Sequence, residues 1–358
     1  MIRYLFNKIG YAFITLLGVI TVIFFLFNKL GDPAKMMLGQ NQSEEQVIAV
    51  KKKYGFDKPI GTQFLYYLND LSPISFHSTR TTGHYTSLGI NKYTYSKLFS
   101  TDKIAVVLKF PYLRESFAKQ GKKVSQIIGE TIPNTFVLAL SAIIIAIILG
   151  VVFGIISALY KDTWIDKTIQ VLSTFGMSVP SFFSAILFAW LFGFVLHKYT
   201  NLEMTGSLYE LDDFGEKMSI QWKNLILPAI VLGIRPLAVV IQLMRNSLLE
   251  VLNQDYIRTA RAKGLSEFKV IKNHAVKNAL NPVVTAISGW FASMLAGAVF
   301  VEYIFGWNGL GKEIVNALNT LDLPVIMGAV LVIAIIFITI NILVDVIYAW
   351  LDPKVKLS

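Results

Sequence analysis

Six runs of mostly apolar residues, each near or above the roughly 20 residues that a helix needs to cross a bilayer core, decide what this 358-residue chain can fold into. They lie at Ile9–Asn28, Asn134–Ala158, Ile169–Leu196, Asn224–Met244, Val283–Phe305 and Pro324–Trp350. The chain is 54% hydrophobic and only 16% charged, whereas charged residues make up roughly a quarter of a soluble domain, so its solvent is lipid. The first run follows Arg3 and Lys8 as a secretory signal would. It is longer than an h-region of about 7–15 residues and no small-x-small site follows, so it reads as an uncleaved anchor.

The absence of cysteine removes disulfide-stapled modules and Cys-ligated metal sites. A formal charge of +10 raises the possibility of a nucleic-acid binder. In so apolar a chain it fits better with Lys and Arg kept on cytoplasmic loops, and nucleic acid is set aside. An N-terminus inside the cell places Arg3, Lys8, Lys161, Lys167, Arg245, Arg258, Arg261, Lys263, Lys269, Lys272, Lys277, Lys354 and Lys356 on the cytoplasmic side. The opposite short loops then hold only Lys198, Lys217, Lys223 and Lys312, a bias that puts both termini inside.

The chain divides into an N-terminal anchor (1–28), a long segment (29–133), a five-helix core (134–350) and a short tail (351–358). In the long segment Ser43–Tyr54 and Ile60–Leu71 are amphipathic and helical, while Ser72–Ser100, rich in Ser, Thr, Tyr and Gly, reads as an irregular excursion. The segment is either an extracytoplasmic subdomain or a solvated loop with no function of its own. Inside the second run Ala142, Ala146, Gly150, Gly154 and Ala158 fall four apart, and Gly289, Ser293 and Gly297 repeat the device in the fifth. Such stripes let helix backbones approach closely in lipid. Pro180 interrupts the third run and predicts a kink, with Ser178 and Ser181 able to satisfy the freed groups.

Arg235 and Asp345 are charged residues inside runs. Arg235 sits near the middle of the fourth, and Asp345 near the end of the sixth with Asn341 one turn away. An Arg at the bilayer centre costs about 2.5–3.5 kcal/mol on insertion scales, so it must face the bundle interior, a cavity or a partner. Either carbonyls freed at Pro236 or the Asp345 carboxylate compensate it, or it faces a pathway through the bundle.

Between the fourth and fifth runs, 245–281 is helical in pattern and too long for a hairpin connection. One helix ends near Lys263 at Gly264, suited to a left-handed cap, and another starts after Ser266, a good N-cap. Ala260 and Ala262 lie among basic residues, and Phe268, Ile271 or Val270, and Ala275 are expected on one side. Such a pair fits a groove on a soluble partner or an anionic lipid surface.

The stretch from Asp255-Tyr-Ile-Arg-Thr-Ala-Arg-Ala-Lys-Gly-Leu-Ser266 through His274-Ala-Val-Lys-Asn-Ala-Leu-Asn-Pro282 resembles the EAA loop of bacterial ABC-importer permeases, in the branch serving oligopeptides, dipeptides and nickel. Gly31-Asp-Pro33, Tyr54-Gly-Phe-Asp-Lys-Pro59, Ile132-Pro-Asn-Thr135, Ser178-Val-Pro-Ser-Phe182, Gly306-Trp-Asn-Gly-Leu-Gly311 and Asp345-Val-Ile-Tyr-Ala-Trp-Leu-Asp-Pro353 extend the likeness, which fades across 71–122. The resemblance implies an all-α membrane protein of the type I ABC-importer permease kind, with about six transmembrane helices and an extracytoplasmic insertion after the first, in a bacterial inner membrane. It implies that Thr259, Ala260, Arg261, Ala262, Gly264 and Leu265 dock a cytoplasmic ATPase. Thr259 stands where the wider family has an acidic residue, so no salt bridge is expected there. The implied partners are a second permease subunit, two ABC ATPases and an extracytoplasmic solute-binding protein. Peptide, opine and nickel branches share these motifs.

No G-x-x-x-x-G-K-[ST], H-E-x-x-H or G-x-S-x-G motif is present, so the chain reads as a non-catalytic transport subunit without a cofactor. The four histidines, His77, His84, His197 and His274, lack metal-ligand spacing. The rival reading is an ion-coupled secondary transporter or channel, whose marks would be several buried ionisable residues and repeated halves. Few such residues and no evident repeat occur. A membrane-anchored enzyme with its site in 29–133 lacks a catalytic constellation.

Overall fold

A computed structural model describes residues 2–29, 31–38, 43–79, 85–88, 93–211 and 217–351; for 2–6, 296–297 and 345–351 it describes the backbone alone. The chain forms two compact units, one of residues 2–130 with 314–335 and the other of 131–313 with the chain from 336 onward.

The first unit contains α1 (Ile2–Asn28), α2 (Pro33–Leu38), α3 (Glu44–Tyr54), α4 (Ile60–Leu71), β1 (Ile74–Ser78), β2 (Tyr95–Ser100) and β3 (Ile104–Lys109). It also takes the first residues of α5 (Val124–Leu159). Ser43 and Gln46 exchange side-chain and backbone hydrogen bonds in a capping box that starts α3, and Gly55, at φ +72°, stops it. Tyr67 and Leu71 of α4 pack on Ile20, Ile23 and Phe24 of α1 and on Met327 and Leu331.

Two parts of the stretch expected to be irregular, 74–78 and 95–100, fold as strands. β1 and β2 both pair antiparallel with β3, giving the order β1-β3-β2, with Phe76 opposite Val106 and a bulge between Lys97 and Phe99. Ser75, His77, Ala105, Val107 and Lys109 point inward. The composition hid this because the inward positions of β1 are polar and its partner strand lies beyond residue 100. Ser75 Oγ and His77 Nε2 satisfy each other at 2.8 Å, and the inward Lys109 is held by Asp70, which is 1% exposed. Its carboxylate accepts from Tyr85 Oη at 2.5 Å, Tyr93 Oη at 3.1 Å and Arg114 Nε at 3.1 Å, and its carbonyl from Lys109 Nζ at 2.5 Å. Burial pushes the neighbouring Tyr67 phenol up to about 12, and the same cause holds the Lys109 ammonium below its ordinary value. Asp322 ties the segment further, accepting from the Ser116 hydroxyl, Phe117 N at 3.0 Å and Ala118 N at 3.2 Å.

The second unit contains the rest of α5, α6 (Trp164–Ser178), α7 (Ser181–Phe188) running into a π-helical stretch (Ala189–Val195), α8 (His197–Thr200) and the hairpin β4 (Tyr209–Leu211) and β5 (Met218–Ile220). It continues with α9 (Lys223–Leu252), α10 (Asp255–Ala262), α11 (Glu267–Val270), a second π-helical stretch (Ile271–Ala275), α12 (Val276–Ala279), α13 (Asn281–Gly297) and α14 (Val299–Phe305). α15 (Leu310–Asn319) and α16 (Leu323–Leu351) follow, their residues 314–319 and 323–335 belonging to the first unit.

Four described helices are long and apolar enough to cross a membrane, and six spans result if each of two bent helix pairs is one span. The six expected runs map onto these, the fifth as a pair bent by 56° between Asn281–Leu295 and Val299–Phe305, and three others differ. α5 begins at Val124, with Pro133 inside the helix, because the polar first turns concealed its start. α9 runs to Leu252 and so takes the first eight residues of the expected loop. The third run is broken, with 108° between α6 and the helix beginning at Ser181. Pro180 removes a donor, and Val179 before it is driven to extended backbone at φ −76°, ψ 130°. Two consecutive extended residues turn the chain instead of kinking it. Ser178 donates to the Thr174 carbonyl at 2.8 Å.

α5 and α9 meet through the small-residue stripe. A Cβ on Gly150 would lie 2.5 Å from Val240 Cγ1, one on Gly154 2.6 Å from Met244 Cβ, and one on Gly233 2.9 Å from the Ala142 carbonyl oxygen. The corresponding stripe on α13 does not pack this way, since Gly289 has nothing within 4 Å and Ser293 is exposed. Gly154→Val therefore forces the α5–α9 pair apart and is expected to destabilise the protein by about 1–3 kcal/mol, as overpacking does. Gly289→Ala is expected to be neutral. Thermal unfolding of the two purified variants in detergent distinguishes them.

Candidate functional site

The segment between α9 and α13 is rooted by a small core. Ile257 and Ala260 of α10, Val270, Ala275 and Ala279 are buried and pack with Ala158, Val240, Met244, Leu248 and Val283. The opposite side is open: Tyr256 is 42% exposed, Leu265 37% and Phe268 72%. Thr259, Arg261, Ala262 and Gly264 are exposed with them, while Ala260 is turned into the root. The expectation that Phe268, Ile271 or Val270, and Ala275 lie on one side is corrected, since Phe268 is exposed and Ala275 buried. Residues two apart on a helix point to opposite sides, so Val270 is inside and Phe268 outside, with Lys272 Nζ 5.8 Å from its ring centre.

The two helices are set at a fixed angle by Gly264 and by ties across it. Gly264 has φ +78°, with nothing within 4 Å of where a Cβ would stand, so its requirement is conformational and not steric. Arg261 forks onto Glu267, Nε to Oε1 at 2.8 Å and Nη2 to Oε2 at 3.3 Å. Asn278 donates to Tyr256 Oη at 2.9 Å. Ser266 has the backbone of an N-cap but makes no side-chain capping bond.

A second junction, which the sequence reading missed, holds the end of α9. Asp166, 3% exposed, accepts from Arg245 Nε at 2.8 Å and Nη2 at 2.6 Å, from Ser157 Oγ at 2.6 Å and from Asp162 N at 2.9 Å. The bidentate pair joins α6 to α9 just before the loop. The signal was present as an acidic residue in the first turn of α6, but nothing in the sequence links it to an Arg 79 positions away.

Two motifs far apart in sequence meet at a third junction. Trp307, fully buried, donates from Nε1 to the Asn134 carbonyl at 3.0 Å, and Asn134 Nδ2 donates to the Asn308 carbonyl at 2.8 Å. Thr135 Oγ1 accepts from Leu310 N at 2.8 Å. Glu302, 0% exposed, caps α15 by accepting from Gly311 N at 2.6 Å and Lys312 N at 3.1 Å. Its Oε1 is the one buried side-chain polar atom without a partner among the described residues. Gly309 is obligatory beside it, because a Cβ there would collide with the Glu302 carboxylate. The sequence reading did not single out Glu302 among the ionisable residues of the apolar runs.

Of the residues expected in the bundle interior, Asn341 donates to its own helix, Nδ2 to the Phe337 carbonyl at 2.8 Å. The Asp345 side chain lies outside the described residues. Arg235 is exposed and lines a cavity with Pro236, and no hydrogen bond joins it to a carbonyl among the described residues.

Comparison with known proteins gives a consistent result. Residues 150–357 match the family described as binding-protein-dependent transport system inner membrane component, and residues 1–101 match that family's N-terminal region. A putative peptide permease protein of Brucella suis biovar 1 is 33% identical over 100% of both chains. A dipeptide transport system permease protein of Alkalihalophilus pseudofirmus is 32% identical over 99% of this chain and 100% of its own. A chain of the inward-facing methionine ABC transporter is similar at 14% identity and a TM-score of 0.49, covering 63% of this chain and 97% of that one.

Arg245→Met removes two of the four donors to Asp166 and leaves a buried charge half satisfied. A loss of order 3 kcal/mol is expected. The double variant Asp166→Leu with Arg245→Met is expected to recover much of it, because no charge is then stranded. Unfolding midpoints of both, measured against the parent in detergent, check this.

Proposed function

This chain belongs to the binding-protein-dependent transport system inner membrane components, and from that membership we propose that its exposed 255–280 surface is the site where a cytoplasmic ATPase docks. It is a multi-pass permease subunit of an ABC transport system. In the proposed assembly, this chain and a second permease enclose the pathway. Two cytoplasmic ATPases drive it and an extracytoplasmic solute-binding protein delivers the solute. The excess of Lys and Arg on one set of short loops supports cytoplasmic termini and an extracytoplasmic 29–133 segment. The names of the relatives support peptides as the solute class.

The observation that carries the docking proposal is the division of the loop into two sides. One side is locked to α9 and α13 by buried residues, and the other presents Tyr256, Leu265 and Phe268 among Arg258, Lys263 and Lys269. An apolar anchor ringed by charge fits a groove on a soluble partner. Because the root is packed on α9 and α13, a push on the outer side moves both helices as one body. Arg261, Ala262, Gly264 and Leu265 form the turn of this surface, Thr259 flanks it, and Ala260 supports it from inside.

Two tests follow. Gly264→Val forces a β-branched residue into left-handed backbone, at about 1–2 kcal/mol, and tilts α11 away. Normal membrane levels with reduced ATPase recovery on co-purification are expected, and parental recovery with parental uptake refutes the docking site. The purified chain alone is expected to release no phosphate from ATP above background, since it has no phosphate loop. ATP turnover by the single chain contradicts the non-catalytic role.

A further inference from the structure

We propose that the cavity at the α6–α7 break is a binding site for a carboxylate, with Arg235 as its cation, and that within the peptide-transport reading above it receives the free C-terminal carboxylate of the solute. The cavity is lined from three directions: Gly176, Val179, Ser181 and Ser184 at the break, Arg235 and Pro236 on α9, and Trp290 and Ser293 on α13. Its volume is about 90 Å³, against the roughly 10–15 Å³ that one water needs by the same measure. It therefore admits the end group of a ligand and several neighbouring atoms.

The polar groups facing this space are uncommitted. On α6, before the break, Ser173, Thr174 and Ser178 each donate to the carbonyl four residues back, at 2.7, 2.9 and 2.8 Å. That is how a hydroxyl in an apolar helix normally satisfies itself. Beyond the break, Ser181 and Ser184 make no such bond among the described residues, although Ser184 is only 7% exposed. The same contrast holds on α13, where Thr285 and Ser288 donate to their own helix at 3.1 Å each and Ser293, which reaches the cavity, does not. Arg235 has neither a carboxylate nor a carbonyl partner among the described residues.

An arginine near mid-span with no internal counter-charge needs an anion or water in front of it. A guanidinium with several hydroxyls matches a carboxylate, which accepts up to about four hydrogen bonds through two oxygens. The break borders the space on both sides, with Gly176 and Val179 before it and Ser181 and Ser184 after it. The indole of Trp290 and the side chain of Met294 give the site an apolar wall that keeps the charge attraction effective.

The chain has no cysteine, so Ser293→Cys places one thiol of its own at the cavity. The assembled transporter in membrane vesicles is treated with an anionic or a cationic methanethiosulfonate of similar size, and modification is read as the mass shift of this chain. The ratio of anionic to cationic rates is expected to fall about tenfold when Arg235→Gln is added, the worth of one charge-assisted hydrogen bond. An unchanged ratio, or a thiol that neither reagent reaches, overturns the site. In the second arm, Arg235→Gln alone is expected to lower uptake of a tripeptide with a free C-terminus about tenfold and to spare its C-terminal amide, with Arg235→Lys intermediate. Equal loss of both peptides, or no loss, overturns the carboxylate role. If the parent imports neither peptide while the reagent ratio still depends on Arg235, the anion site stands and the peptide reading falls.

Discussion

Lipid supplies no hydrophobic force to bring two helices together, so a membrane bundle depends on backbones that fit closely enough for dispersion to act. Here that fit is the approach of α5 to α9 at Gly150, Gly154 and Gly233, where a single added carbon would meet Val240, Met244 or the Ala142 carbonyl. α9 is the helix on which the other working parts are mounted. Its middle carries Arg235, its last turns carry Arg245, and its end leads into the 255–280 segment. Fixing α9 against α5 fixes the frame from which each of them acts.

The loop can transmit force because it is packed and not merely attached. Ile257, Val270, Ala275 and Ala279 are sealed against Met244, Leu248 and Val283, and the Arg261–Glu267 fork sets the angle across Gly264. The Arg245–Asp166 pair then ties the same end of α9 to α6. A displacement at the loop therefore reaches α6 as well as α9 and α13. α6 ends at the break beside the Arg235 cavity, so the proposed docking surface and the proposed anion site are joined through packed helices.

The Gly306–Gly311 turn shows why several of the recurring motifs are rich in Gly, Asn and Trp. Buried Glu302 needs donors, and it finds them in the first N–H groups of α15 only because Gly309 and Gly311 leave room for the carboxylate. Trp307 and Thr135 then bind that turn to the helix carrying Asn134. The turn and the Ile132–Thr135 motif are thus two halves of one joint.

The sequence by itself determined the apolar spans, the helical α3, the left-handed turn at Gly264 and the close-approach stripe of α5, because each depends on spacing along one element. It also contained the motifs of the transport family, which depend on local order. The tertiary structure decided what depends on residues brought together from afar. It made β1 a strand, because it pairs with β3 and its inward Ser75 and His77, which composition reads as loop, hydrogen-bond to each other. It turned Phe268 outward and Ala260 inward, because the root on α9 selects one face of each short helix. It paired Asp166 with Arg245, which no periodicity connects, and left Arg235 facing an open cavity in place of a partner on its own helix. Helical period sets which side chains share a face, but only packing sets which face is buried.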